Sequence, residues 1–62
     1  MTDEELDELI LSRLRNRATQ SATDLAASFN EPKPRVEARV LALASEGRIE
    51  ESAAMPGRWM IA

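Results

Sequence analysis

An α+β architecture, three helices followed by a two-stranded hairpin, is predicted from three observations. Apolar residues recur at helical spacing in three stretches within the first 46 residues, and capping residues bound each stretch. Two short runs then alternate with period two. Met55, Pro56 and Gly57 join those runs as a turn.

The third helical stretch organises the rest. Residues 32–46 read as a helix with both ends marked. Pro32, at the first helical position, lacks only an N–H that has no intrahelical partner, and Gly47 supplies the left-handed residue that stops a helix. Val36, Val40, Leu43 and Ala44 follow the i, i+4, i+7, i+8 spacing of one buried stripe. Lys33, Arg35, Glu37, Arg39 and Leu41 are left pointing elsewhere. Pro34 falls in the first turn, where its missing N–H is harmless but its ring restricts Lys33.

Helix 1 is expected over about residues 3–15. Thr2 and Glu5 form a capping box, in which each side chain satisfies the other's orphan backbone N–H. Leu6, Leu9, Ile10 and Leu14 make its apolar stripe; Leu11, off that stripe, is either a wide-stripe core residue or part of a dimer contact. Acids at its start and Arg13, Arg15 and Arg17 at its end suit the helix dipole, the simplest account of that gradient, with a charge-patterned binding surface as the alternative. Asn16 is placed as a left-handed cap. Residues 18–20 form a connection that a small sheet can recruit as a short third strand.

Ser21, with Asp24 three residues on, opens helix 2 over about residues 22–29, with Ala22, Leu25, Ala26 and Phe29 inward. Asn30 and Glu31 make the tight turn into helix 3. Strands are expected at about 48–52, with Ile49 inward, and 58–62, with Trp59 and Ile61 on one face. This order is that of a small winged helix-turn-helix, with helix 3 in the recognition position and residues 53–57 as the wing. The chain, residues 1–62, reads as a single winged-helix domain.

Composition narrows the function classes. A chain of 62 residues buries only ~60% of its extended surface, so the core must be compact and no enclosed active site fits. Without cysteine or histidine, disulfides, thiolate metal sites and the usual acid–base constellations are excluded. No nucleophile–base pair, phosphate loop or metal spacing is present, so no enzyme, cofactor or small-molecule substrate is expected. The acidic start is unlike a basic secretory signal and no apolar run reaches the ~18 residues of a membrane span, so a cytoplasmic location and no membrane partner are expected. Net charge is −3, but five acids lie in the first twelve residues; residues 13–62 hold six acids against all eight bases, a slight excess of +2. That balance permits a polyanionic partner without demanding one.

From Ile10 onward the sequence resembles the Zα winged-helix domains, which bind left-handed nucleic acid in RNA-editing adenosine deaminases and related innate-immune proteins. The resemblance is gapless and rests on ILSRL, SATDLAASF, the PK opening helix 3, the V-x-x-x-V-x-x-L spacing before EGRI, and the ending PGRWMI. Most of these motifs specify winged-helix core; P-x-x-W-x-I is the more particular one. Other small winged helices, among them bacterial regulators and C-terminal domains of DNA-uptake proteins, match nearly as well. By position, the family's helix-3 lysine is Lys33, its first wing proline Pro56 and its wing tryptophan Trp59. Its asparagine, tyrosine and second proline are replaced by Glu37, Leu41 and Gly57. A carboxylate repels phosphate and a leucine neither donates nor stacks as tyrosine does, so Z-form recognition is not expected.

The candidate nucleic-acid-binding residues are Lys33, Arg35 and Arg39 on helix 3, Arg48 and Arg58 flanking the wing, and Trp59. In a DNA-reading version the helix-3 cations reach phosphates or guanine edges in the major groove; otherwise they form a solvated face with Lys33 and Glu37 paired. Arg48 and Arg58 either grip phosphates or act as charged edge residues. Trp59 is core first and contact second. Glu37 and Leu41 mark an alternative protein-interaction surface. Two functions follow. One is a DNA-binding module of transcription-regulator type with duplex DNA as partner; the other is a winged helix that binds a protein or a second copy of itself.

Overall fold

The computed structural model describes all 62 residues, Met1–Ala62. The elements are α1 (Asp3–Asn16), β1 (Gln20–Ser21), α2 (Ala22–Phe29), α3 (Lys33–Ser45), β2 (Ile49–Glu51) and β3 (Arg58–Ile61). The strands form one antiparallel sheet in the order β1-β3-β2, with Gln20 opposite Trp59 and Ile49 opposite Ile61. The short third strand thus pairs at Gln20–Ser21, overlapping the predicted connection by one residue.

Local chemistry sets the helix ends. At α1 the Thr2 N–H donates to Glu5 Oε1 at 2.9 Å and the Glu5 N–H to Thr2 Oγ1 at 3.1 Å, a complete capping box. Ser21 and Asp24 repeat the device at α2, more loosely, at 3.1 and 3.5 Å. Asn30 takes the left-handed conformation, with φ of 54°, and turns the chain from α2 into α3. Pro32 lies just outside α3 rather than in it, and its carbonyl accepts from the Arg35 and Val36 N–H groups. Gly47, at φ 76°, lets its own N–H and that of Arg48 reach back to the Ala44 and Leu43 carbonyls, which ends α3.

The core lies where α1, α2 and α3 meet the sheet. Leu6, Ile10, Leu11, Leu14, Leu25, Ala26, Val36, Val40, Leu43 and Ile49 are buried, with Ala22, Phe29, Trp59 and Ile61 packed partly against them. Each large aliphatic side chain so buried contributes roughly 1.5–3 kcal/mol. Two expectations for α1 change. Leu9, predicted inward, is 39% exposed, whereas Leu11 is buried at 2%. Asn16 stays helical and the cap passes to Arg17 in an extended conformation, because the chain must run straight on into β1. At the wing, the Gly57 N–H donates to Glu51 Oε2 at 2.7 Å and the Met55 N–H to Ser52 Oγ at 3.2 Å, closing the loop on β2. No helix is long and apolar enough to cross a membrane.

Candidate functional site

The core stripe of α3 divides the rest of the helix into two flanks. Lys33, Glu37 and Leu41, at i, i+4, i+8, lie on the flank towards the wing, while Arg35 and Arg39 lie on the flank towards α1.

The wing-side flank forms one wall of a groove of about 270 Å³. Ser21, Ala22 and Thr23 at the start of α2 make the second wall, and Gly57 and Trp59 make the third. Val40 is its buried floor. Lys33 reaches Glu37 only at 4.0 Å, with both side chains at least half exposed, so that pair holds the ammonium loosely and leaves it open to an anion. Leu41 is 60% exposed, the largest exposure of any big apolar side chain in the protein. Trp59 is half-buried, with part of its indole against the core and part lining the groove. The groove therefore offers one ammonium, one carboxylate, the apolar surfaces of Ala22, Val40, Leu41 and Trp59, and the hydroxyls of Ser21 and Thr23.

The α1-side flank is committed within the chain. Arg39 donates from Nε and Nη2 to the two carboxylate oxygens of Asp7, both at 2.8 Å, and stands 3.7 Å from Asp3. Asp7 is buried, and its hydrogen bonds, against the cost of desolvation, raise the Arg39 pKa above its ordinary value. Arg35 donates to the Met1 carbonyl at 2.7 Å, Asp3 at 3.2 Å and Glu31 at 3.4 Å. The structure thus turns Arg35 and Arg39 away from the groove.

Arg58 is likewise turned inward from the wing. Its guanidinium donates to Thr19 Oγ1 at 2.8 Å, the Thr19 carbonyl at 3.0 Å and Asp24 at 3.4 Å, which ties β3 to the start of α2. Arg48 is half exposed, near Glu8 at 4.0 Å and Glu46 at 3.9 Å, and lines no part of the groove. Of the residues singled out in the sequence, the structure brings together Lys33, Glu37, Leu41 and Trp59. Arg35, Arg39, Arg48 and Arg58 stand apart from them.

Sequence reasoning missed the carboxylates that claim Arg35 and Arg39. The signal was present, since Asp3 and Asp7 are four apart on one helix and Arg35 and Arg39 four apart on another. It becomes readable only once α1 and α3 are known to pack side by side.

Three helices, a three-stranded antiparallel sheet and a groove between the third helix and the hairpin define a winged helix-turn-helix. No protein-family model matches the chain, and no curated protein matches it in sequence. Among solved structures, the crystal structure of the Zα domain from Carassius auratus PKZ in complex with Z-DNA is similar, with a TM-score of 0.86. The likeness covers 97% of each chain at 18% identity. At that identity it establishes the shared fold.

Proposed function

We propose that this protein is a nucleic-acid-binding winged-helix module whose contact surface is the groove between α3 and the wing. The observation that carries this reading is the convergence of Lys33, Trp59 and the Ser21 and Thr23 hydroxyls in one open cleft. A phosphate accepts from the Lys33 ammonium and from hydroxyls, and the indole gives a sugar or base an apolar face. The similar Zα domain was solved with Z-DNA, which supports a nucleic-acid ligand for this fold.

With Arg35 and Arg39 held by α1, few donors remain on α3 to read base edges in the major groove. Binding is therefore backbone-directed and weak, and it falls with salt. Glu37 and Leu41 on the α3 wall of the cleft disfavour selection of the Z form. A transcription-regulator role requires a second such module beside this one, because a single domain buries little DNA surface.

A nuclear magnetic resonance titration with random-sequence duplex DNA and with an alternating C–G duplex held in the Z form tests this reading. Amide shifts at Thr23, Lys33 and Gly57 and at the Trp59 indole, fading between about 50 and 200 mM salt, are expected with the random duplex. No salt-sensitive shift at about 50 mM overturns it.

A second reading is favoured by one specific observation, the exposure of Leu41 beside Glu37. An apolar side chain next to a carboxylate suits a protein partner with an apolar contact flanked by a cation. Loss of a bound partner on Leu41→Asp, with DNA shifts absent, would select this reading.

A further inference from the structure

Apart from a loose, exposed contact of Glu8 with Arg48 at 4.0 Å, the outer face of α1 is open to solvent, and its charges are sorted along its length. Glu4, Glu5 and Glu8 occupy one end of a shallow open strip of about 720 Å³, Leu9 and Ser12 its middle, and Arg15 the other end. Leu9 is 39% exposed and Met1, at the acidic end, 54%.

Helix-dipole stabilisation explains acids early and bases late in a helix. It does not require both to lie on one face. It also does not explain the pairing pattern of the cations. Lys33, Arg35, Arg39, Arg48 and Arg58 all stand within 4.0 Å of a carboxylate, whereas Arg13, Arg15 and Arg17, at the end of α1, do not. Arg13 lies 6.0 Å over the Phe29 ring, which leaves Arg15 as the unpaired cation of the outer strip.

Glu5, Glu8, Ser12 and Arg15 have a spacing that is symmetric about position 10. A two-fold axis there, with two α1 helices running antiparallel, sets Glu5 of one copy opposite Arg15 of the other and Glu8 opposite Ser12. The Ser12 hydroxyl then donates to the Glu8 carboxylate, while the two Leu9 side chains flank the axis. The small side chain of Ser12 allows close approach of the helices.

We infer that the outer face of α1 is a self-association surface whose occupant is a second copy of this chain, docked antiparallel through Glu–Arg complementarity. The contact buries less than the ~800 Å² per partner of a stable interface, so the dimer is a weak one, with a Kd between about 10 μM and 1 mM, and it loosens with salt. None of the strip residues lines the α3–wing groove, so the dimer leaves two grooves open.

Sedimentation equilibrium on the full chain, at low salt and up to about 1 mM, tests the inference. The wild-type mass should rise from 6.9 kDa towards twice that value. R15E alone, and E5R alone, should stay monomeric over the same range. Their equimolar mixture should regain association, because each variant restores the opposite charge the other has lost. Circular dichroism checks that both variants keep the helical fold, and concentration-dependent amide shifts of the wild type should centre on Leu9, Ser12 and Arg15. A wild type that stays at monomer mass overturns the inference. So do variants that associate as the wild type does, a mixture that stays monomeric, or shifts centred on the α3–wing groove.

Discussion

On the α1 side of α3, Arg39 and Asp7 share two hydrogen bonds of 2.8 Å around a buried carboxylate, and Arg35 is held by Met1, Asp3 and Glu31. On the wing side, Lys33 and Glu37 reach each other at 4.0 Å across solvent, with Leu41 exposed beyond them. Both flanks have cations and carboxylates at four-residue spacing. They differ in what lies opposite: a helix that presents its own carboxylates on one flank, an open cleft on the other. Charge on a helix becomes structure where a packed neighbour supplies the counter-charge out of water. It remains available for a ligand where no neighbour does.

The largest expected effect breaks the first flank. Asp7→Ala leaves the Arg39 guanidinium without its bidentate partner at the α1–α3 seam, and thermal denaturation should show Tm lower by roughly 5–15 °C. Replacing both partners, as Asp7→Leu with Arg39→Met, should recover much of that loss, because an apolar pair needs no counter-charge. If the single and double variants lose the same stability, the seam acts through shape alone and the contrast between the flanks fails.

On the wing side the expected pattern is the reverse. Lys33→Ala removes an exposed cation with a loose partner, so Tm should stay nearly unchanged while the dependence of DNA affinity on salt becomes shallower by about one phosphate contact. Trp59, the only tryptophan, lines the groove and gives a fluorescence readout of the same titration. Leu41→Asp should likewise leave Tm within a few degrees, since Leu41 covers nothing in the core. A large Tm fall in either variant would make this flank structural as well.

Most of the fold was legible in the residues because it is written in local chemistry. The Thr2–Glu5 and Ser21–Asp24 boxes, Gly47 and the alternation of Trp59 and Ile61 each state their element within a few positions. The exchange of Leu9 for Leu11 was not legible. Leu6, Ile10 and Leu14 fix the centre of the α1 stripe, but either neighbouring row can be its covered edge. Packing of α1 against α3 on the Asp7–Leu11 side decides which. The site was half legible for the same reason. Position along α3 puts Lys33, Glu37 and Leu41 on one face, whereas the loss of Arg35 and Arg39 to α1 depends on contacts 32 or more residues away in sequence.

The smallest effect extends the contrast to a charge that is fully solvated yet still held. Glu5 accepts from the Thr2 backbone N–H and, within the same capping box, interacts with the Thr2 hydroxyl, and these hold its pKa below the ordinary value of 4.5. Because the folded pKa is the lower one, the stabilisation is fully present above the unfolded value and is lost as the pH falls through the folded pKa. A carboxyl-detected titration should therefore show Glu5 protonating at lower pH than an ordinary glutamate. Thr2→Ala removes the hydroxyl but keeps the backbone donor, which is the larger cause of the shift, so Glu5 should move only part of the way back. A complete return to the ordinary value would assign the effect to the hydroxyl. The backbone at the start of α1 would then contribute nothing to holding the carboxylate.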